Sequence, residues 1–303
     1  LGDVYKRQHL HTFSQFSIIQ STVRINELTQ LANELEMPAV CITDYNNLMG
    51  SFHFLKSLEN INKKNKSENK KTLKPIIGIT LNVCEDHLDR SRRDDGYQIV
   101  FIAKHKKGYK NLSKLSSLAY IKGFYYVPRV DKNLVLNFKE DLIVLTGNTY
   151  GEVSSKLLNI GEKQAEESLL WWNKHFKDDL FIEIMRHNLE DENRINPVLI
   201  KFSAKHKIKL VATNSVFYLT KEQANSHDIL LCVKDGEKQS TPIGRGRGFR
   251  YGLPNHEYYF KTKEQMIELF SDIPDEIANI SEVIAKVEKF DLNALCKFML
   301  FSR

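Results

Sequence analysis

Residues 39–47 read Ala-Val-Cys-Ile-Thr-Asp-Tyr-Asn-Asn, an apolar run that ends abruptly in polar side chains. Apolar residues at consecutive positions are typical of a strand that is covered on both faces, as strands of parallel sheets are. Similar runs recur along the chain. We predict strands at 9–12, 39–43, 76–83, 99–103, 142–146, 180–185 and 209–213.

Helical patterns fill most of the intervals between these runs. In residues 24–35, Ile25, Leu28 and Leu35 fall on one stripe of a helix, and Pro38 follows shortly after it. We predict helices at 24–35, 109–119, 162–176, 197–206, 221–233, 263–270 and 275–288. About seven successive strand–helix units predict parallel strands that are joined by helical crossovers.

Both a barrel and an open sheet are compatible with this order of elements. We favour a barrel because no Gly-x-Gly-x-x-Gly or Walker-type loop follows an early strand. The predicted fold class is therefore α/β, with a barrel of the TIM type. In such a barrel the chemistry belongs at the C-terminal ends of the strands, so those ends carry the candidate site residues.

The composition excludes several classes of protein. The chain has 303 residues, of which 42% are hydrophobic and 27% charged, as in globular domains. It contains no run of the roughly 18 apolar residues that a membrane helix needs, and residues 1–8 lack the apolar core of a secretory signal. Four scattered cysteines without a Cys-x-x-Cys pair favour a reducing cytoplasm over a disulfide scaffold. The net charge of +6 suits contact with nucleic acid without establishing it.

Two polar segments interrupt the alternation of strands and helices. Residues 60–74 are rich in Lys and Asn, which predicts a solvated insertion. Residues 234–254 form a basic Gly/Arg segment that reads Gly-Arg-Gly-Arg-Gly-Phe-Arg over 244–250. Such a loop could bind DNA phosphates and stack on a base, but a loop that stays in water or packs on another domain has the same composition. The candidate nucleic-acid contacts are Arg245, Arg247, Phe249 and Arg250.

Histidines near the first strand are candidate metal ligands. His9 and His11 are two residues apart, so on a strand they would face the same side. A polar strand end with one hydrogen-bonded histidine is the more frequent meaning of an isolated His-x-His. Cys84 and His87 form a Cys-x-x-His pair without a second pair, which favours an incidental surface pair over a zinc site.

Several motifs together resemble one family. They are His-Leu-His-Thr-Phe-Ser-Gln-Phe-Ser at 9–17, Ile-Thr-Asp at 42–44, Lys-Pro-Ile-Ile-Gly at 74–78 and Val-Ala-Thr-Asn at 211–214. This set is similar to the PHP (polymerase and histidinol phosphatase) domain at the N-terminus of the alpha subunit of bacterial DNA polymerase III. The two polar segments resemble the Bacteroidetes-type version of that domain.

The resemblance implies a distorted seven-stranded β/α barrel, the PHP fold, in agreement with the strand count. It covers residues 9–290 as a PHP-like domain. Residues 1–8 do not match the family pattern, and we expect a non-native leader there. The pattern also lapses over 291–303, where we expect a truncated or non-native tail.

Members of the family that hydrolyse phosphoesters hold two or three metal ions with His, Asp, Glu and sometimes Cys side chains at the strand ends. By this resemblance, the chain keeps the first imidazole of the family's His-x-His motif, at His11, and has Phe13 in place of the second. The positions that correspond to the ligands carry His11, Phe13, Gln20, Tyr45, Thr80, Gln98, Asn148, Ser215 and Phe217. Because the replacements are amides, hydroxyls and aromatic rings, we expect no metal and no cofactor in this chain, and a hydrogen-bonded remnant of the site.

The resemblance implies a parent nucleotidyltransferase, a DNA-directed DNA polymerase that acts in replication in the cytoplasm. A polymerase palm holds Mg²⁺ with closely spaced carboxylates, and this chain contains no Asp-x-Asp, so we expect it to be catalytically inactive alone. Its expected role is a scaffold. The implied partners are the remainder of the alpha subunit, the proofreading exonuclease subunit and, through the parent, primer–template DNA, with no membrane contact.

A second hypothesis is a residual metal-dependent 3′–5′ exonuclease or phosphoesterase. Its catalytic residues would be His9, His11, Asp44 and His187, and its metal would be Zn²⁺ or Mn²⁺. A third is direct binding of primer–template DNA through the basic loops.

Overall fold

The computed structural model describes residues 9–244 and 246–292. The strands are β1 (His11–Thr12), β2 (Ala39–Ile42), β3 (Lys74–Cys84), β4 (Tyr97–Ala103), β5 (Val130–Asp131), β6 (Leu142–Leu145), β7 (Leu180–Ile184), β8 (Leu210–Ala212) and β9 (Ser215–Val216). The helices are α1 (Ile25–Glu34), α2 (Ser51–Ser67), α3 (Lys106–Ile121), α4 (Lys132–Asn137), α5 (Glu152–Asn159), α6 (Glu162–Phe176), α7 (Glu190–His206), α8 (Ala224–Asp235), α9 (Lys263–Leu269) and α10 (Pro274–Lys286). The expectations for residues 1–8 and 293–303 lie outside the described residues.

The main sheet curls into a barrel. Its strands pair in the order β2-β3-β4-β6-β7-β8, and β5 pairs beside the end of β3. The two edges of this sheet approach each other through β1. The N–H of Thr43, just after β2, donates to the carbonyl oxygen of Thr12 in β1 (2.8 Å), and β1 pairs in parallel with β9, which follows β8 after two residues. The prediction of a distorted seven-stranded β/α barrel is confirmed.

The prediction that all strands are parallel is wrong for one strand. β4 is antiparallel to both β3 and β6. The reason is that residues 85–96 connect β3 to β4 without a helix, and parallel neighbours need a long crossover whereas antiparallel neighbours do not. As a result the N-terminal end of β4, with Gln98, lies beside the C-terminal half of β3, where Asn82 is its partner.

About half of the Lys/Asn-rich segment is helical. Residues 60–67 continue α2, and only 68–73 connect this helix to β3. The buried Asn65 side chain donates hydrogen bonds to Asn33 Oδ1 (2.6 Å) and to the carbonyl oxygen of Lys71 (2.8 Å), which fastens the helix end to α1. The segment that we predicted as a solvated insertion thus consists of a helix end and a short connection. The neighbouring lysines are exposed, as expected.

The helices pack against the outer face of the sheet. A large apolar cluster joins the strands to α3, α5, α6, α7 and α10, and a second one joins α1 and α2 to β2. None of the described helices combines the length and the apolar character that a bilayer-spanning segment needs.

A buried arginine organises the connection between β3 and β4. The side chain of Arg129 is fully buried and donates to the carbonyl oxygens of Gly123 (3.0 Å), Asp94 (3.0 Å), Asp89 (2.9 Å) and His87 (3.4 Å). Three of these carbonyls belong to residues 85–96. The guanidinium therefore supplies the hydrogen bonds that a helix-free connection lacks within itself.

We expect Arg129→Lys to lower the free energy of unfolding by about 3 kcal/mol, because one ammonium group cannot reach carbonyls on several sides. Urea denaturation measures this change. The control is Arg194→Lys, at a side chain that is 60% exposed, which should change stability by less than about 0.5 kcal/mol. Equal effects of the two substitutions would contradict the role given to Arg129.

Candidate functional site

Two side chains fill the centre of the barrel near its mouth. His11 projects inward from β1 and Glu183 from β7, and both are fully buried. Nδ1 of His11 lies 3.1 Å from Oε1 of Glu183, and the hydroxyl of Thr213 donates to the same oxygen (2.5 Å). Nε2 of His11 has no hydrogen-bond partner among the described residues. Sequence reasoning missed Glu183, although one charged residue inside the apolar run Leu-Phe-Ile-Glu-Ile was a usable signal.

An aromatic pair occupies two of the positions that the resemblance matches to metal ligands. The rings of Phe13 and Phe217 stack with their centroids 4.6 Å apart and their planes at 8°. Phe13 is buried and also contacts the ring of His11, at 5.1 Å between centroids. In the family that the sequence resembles, histidine ligands stand at the positions of both phenylalanines. The structure fills that space with apolar surface, which cannot bind a cation as a ligand.

Asp44 is enclosed by serines. One carboxylate oxygen accepts from the N–H of Ser14 (2.6 Å) and the hydroxyl of Ser17 (2.7 Å), and the other accepts from the hydroxyl of Ser14 (2.7 Å). The carboxylate is buried, and this desolvation raises its pKa above the ordinary value despite the hydrogen bonds. No Lys or Arg in the described ranges forms an ion pair with it. Sequence analysis did not identify the two serines.

Two other former ligand positions bond to their neighbours in the barrel. The Tyr45 hydroxyl donates to Oδ1 of Asn82 (2.8 Å), and burial raises the pKa of this hydroxyl. The hydroxyl of Thr80 donates to the carbonyl oxygen of Thr43 (3.0 Å). Both residues are thus used to join β3 to the end of β2.

The remaining former ligand positions are spread around the rim. Oδ1 of Asn148 accepts a hydrogen bond from the N–H of Tyr150 (2.9 Å). The carbonyl oxygen of Tyr150 accepts one from the N–H of Gln98 (3.0 Å). The hydroxyl of Ser215 lies 3.3 Å from the sulfur of Met185. Gln20 is only half-buried, and its carbonyl oxygen bonds to the ring of His227 (2.8 Å).

His187 and His9 are held by separate partners. Nε2 of His187 accepts from the N–H of Ser215 (3.2 Å), so Nδ1 is the donor to Glu192 (2.6 Å), and the ring stacks on Tyr258. Nε2 of His9 bonds to the carbonyl oxygen of Lys261 (2.8 Å), which leaves its Nδ1 buried and without a partner among the described residues. Burial is the main reason that the pKa of His9 is lowered to about 4, so this ring is neutral.

Residues 9–187 match the sequence profile of the PHP domain. The chain belongs to the PHP domain family. Over 289 residues it is 35% identical to the DNA polymerase III subunit alpha of Campylobacter jejuni, an alignment that covers 92% of this chain and 23% of that protein. It is 31% identical to the same subunit of Borreliella burgdorferi, over 94% of this chain and 24% of that protein. It is 35% identical to the same subunit of Treponema pallidum, over 89% of this chain and 22% of that protein. These matches confirm the resemblance, and the chain spans about a quarter of the length of the curated relatives.

The mouth of this PHP domain does not fit a cluster of divalent cations. Such a cluster needs several carboxylates and imidazoles with free lone pairs. Here Asp44 and Glu183 already accept hydrogen bonds from serine and threonine hydroxyls, and the stacked pair of Phe13 and Phe217 takes up the space of two ligands.

Three side chains of metal-binding type meet elsewhere in the PHP domain. Ligand atoms of Asp86, His87 and Asp131 lie within 4.8 Å of one another, and this is the one such group in the described part of the chain. Nδ1 of His87 lies 2.5 Å from Oδ2 of Asp131, whose other oxygen accepts from the N–H of Leu134 at the start of α4 (2.7 Å). Cys84 is buried and contacts the carbonyl oxygen of Val130 (3.3 Å), so the predicted surface pair of Cys84 and His87 was wrong.

The basic loop is anchored by one of its own arginines. Arg250 is buried and forms a bidentate pair with Asp228 (2.6 and 2.9 Å), and its other N–H groups donate to backbone carbonyls of the loop. All its donors are used within the domain, which corrects the expectation that Arg250 binds phosphate. Arg247 and Phe249 are exposed, and Arg245 lies outside the described residues.

The buried Asp44 should make stability depend on pH in a defined direction. Its pKa is raised in the folded state, so the folded chain holds the proton more tightly than the unfolded chain does. The resulting contribution to stability is present at acid pH and is lost as pH rises through the folded pKa. The free energy of unfolding of the wild type minus that of Asp44→Asn should therefore fall as pH rises from about 4 to about 8. Urea titrations measure this difference, and a difference that grows with pH would contradict the assignment.

Proposed function

We propose that this chain is the PHP domain of a replicative DNA polymerase alpha subunit and that it serves there as a scaffold. The observation that carries the proposal is the filled mouth, in which Phe13 stacks on Phe217 and Asp44 is enclosed by hydroxyls. In this interior, the side chains at the positions of the family's metal ligands contribute packing and hydrogen bonds. They would not hold metal ions that activate water. Its contribution to replication is then structural.

The reaction of the parent would be the template-directed addition of deoxynucleotides to DNA in the bacterial cytoplasm. That reaction uses closely spaced carboxylates that hold two Mg²⁺ ions. Because this chain contains no Asp-x-Asp, we assign the reaction to the remainder of the alpha subunit. The chain itself would be inactive as a polymerase and would reach primer–template DNA through its parent, with Arg247 and Phe249 as the exposed members of the basic loop.

The proposed partners are the remainder of the alpha subunit and the proofreading exonuclease subunit. Two groups of exposed apolar side chains support a role in contacting other proteins. The first group, at the end of α3 and after it, contains Tyr120, Ile121, Phe124 and Tyr126. The second, in the loops after β1 and β2 and the first turn of α2, contains Ile18, Ile19, Met49 and Phe52.

Paired charge substitutions should locate the exonuclease contact. We expect either Ile121→Asp with Phe124→Asp, or Ile18→Asp with Met49→Asp, to abolish association with the exonuclease subunit, because a buried unpaired carboxylate opposes an apolar interface. Calorimetry with the purified subunits measures the affinity. The matched control is Phe13→His, inside the mouth, which should leave the affinity unchanged when the variant is folded. If the wild type shows no association, or if Phe13→His alone abolishes it, the scaffold proposal fails.

A metal-dependent 3′–5′ exonuclease or phosphoesterase is the second candidate. The observation in its favour is that Nδ1 of His9 and Nε2 of His11 are buried without hydrogen-bond partners in the described ranges, as ligand atoms would be in the absence of an ion. Asp44 and His187 would have to approach these rings on metal binding, because no three ligand atoms of these four residues lie within 4.8 Å of one another.

Metal analysis separates the two candidates. We expect the chain, purified without chelator and dialysed against Zn²⁺ or Mn²⁺, to retain no stoichiometric ion at the mouth, because Ser14, Ser17 and Ser215 already donate hydrogen bonds to Asp44 and His187. An ion held by Asp86, His87 and Asp131 would instead be lost in His87→Gln. Elemental analysis by mass spectrometry measures the content, with His53→Gln as a control for incidental binding by an imidazole outside the mouth. A bound ion that is lost in His11→Gln, together with chelator-sensitive hydrolysis of single-stranded DNA, would establish the second candidate.

A further inference from the structure

A cavity of about 580 Å³ lies on the outer face of the sheet, away from the mouth. Val83 of β3 and Tyr97 of β4 are register partners and line this cavity. Their neighbours Asn82 and Gln98 form the adjacent pair, and Asn82 bonds to Tyr45 inside the mouth. Lys132 of α4 and Glu152 and Lys156 of α5 also line the cavity, so it lies on the face of the sheet that the helices cover, and none of the mouth residues lines it. The cavity is therefore separate from the former metal site.

Two lysines in the wall of the cavity share one carboxylate. Nζ of Lys132 and Nζ of Lys156 each lie 2.8 Å from Oε1 of Glu152, whose other oxygen accepts from Nε1–H of Trp172 (2.8 Å). Glu152 is buried, and both lysines are mostly buried. One carboxylate cannot neutralise two ammonium groups, so this part of the wall carries an excess positive charge. Burial lowers the pKa of Lys132, although Glu152 opposes this shift, as expected for an ammonium that is incompletely compensated.

Two arginines lie at the rim of the same cavity. Arg92 is 65% exposed and pairs with Glu85, and Arg93 is 62% exposed and pairs with Asp95. The exposed pair of Arg92 with Glu85 contributes little free energy, so this guanidinium can exchange its partner for another anion. Arg93 binds Asp95 through both Nε and Nη2 (3.0 and 2.7 Å), so Arg92 is the better placed of the two to contact a ligand. Asp94 also lines the cavity, but its two oxygens accept from the backbone N–H groups of Glu85 and Gly96.

We propose that this cavity binds a phosphate-bearing small molecule of nucleotide size. Ammonium groups on the inner wall and guanidinium groups at the rim would contact the phosphate from two sides, and guanidinium groups are suited to bidentate contact with phosphate oxygens. A volume of about 580 Å³ exceeds that of a phosphate ion and falls in the range of small-molecule sites. The ring of Tyr97 provides a surface on which a base could stack.

Titration calorimetry with a deoxynucleoside triphosphate and with inorganic phosphate tests the proposal. The titrations use low salt without divalent metal, so the result does not depend on the mouth of the barrel or on the scaffold role. We expect binding that weakens as salt is added. Arg92→Ala with Arg93→Ala should weaken it at least tenfold, while Arg194→Ala, also at an exposed arginine in a surface ion pair, should leave it unchanged.

A second variant examines the inner wall. Lys156→Gln removes one ammonium group while Lys132 still pairs with Glu152, and it should weaken binding by a similar factor with little change in melting temperature. Tighter binding of the nucleotide than of phosphate would support recognition by the whole cavity, and equal binding would support a phosphate subsite alone. Absence of binding by both probes would overturn the proposal. So would binding that the arginine double variant leaves unchanged.

Discussion

The carboxylate of Glu183 constrains much of the barrel interior. It is fully buried without a Lys or Arg partner among the described residues, and a buried carboxylate is tolerated only when its oxygens are hydrogen-bonded. The bonds come from His11 of β1 and Thr213 after β8, and the backbone N–H of Glu183 donates to the hydroxyl of Thr146 (3.0 Å). One side chain thus joins elements from opposite ends of the chain and fixes the orientation of His11. The family's surviving imidazole is therefore held by the fold itself.

The other side chains of the mouth bond to or stack on one another. A cluster of carboxylates without cations would repel one another, and each would pay a desolvation penalty. Hydroxyls and amides can bond to each other, as Tyr45 does with Asn82, and two phenylalanines can stack where imidazoles would need a ligand. These side chains are consistent as a set, since none of the hydroxyls, amides and aromatic rings needs a cation to offset a charge.

The sequence predicted those parts of the fold that depend on local pattern. The limits of α6 were predicted to the residue, and the apolar runs of β2, β6 and β7 were identified because both faces of these strands are buried. Strand direction has no local pattern, so the antiparallel β4 was missed. None of the predicted helices covered α2, whose end is held by asparagine hydrogen bonds rather than by an apolar stripe. Asp44 was identified, but Ser14 and Ser17 became meaningful only when tertiary contacts placed their hydroxyls on its carboxylate.

The two faces of β3 and β4 separate two electrostatic environments by the thickness of one sheet. On the inner face, Asn82 and Gln98 present amides to a mouth where hydroxyls bond to the carboxylates of Asp44 and Glu183 and two phenylalanine rings stack. On the outer face, Val83 and Tyr97 border the cavity. In its wall the ammonium groups of Lys132 and Lys156 share the carboxylate of Glu152. The filled mouth places no demand on the outer face, because none of the mouth residues lines the cavity there. Ligand binding on the outer face is therefore compatible with a mouth that is filled on the opposite side of the same strands.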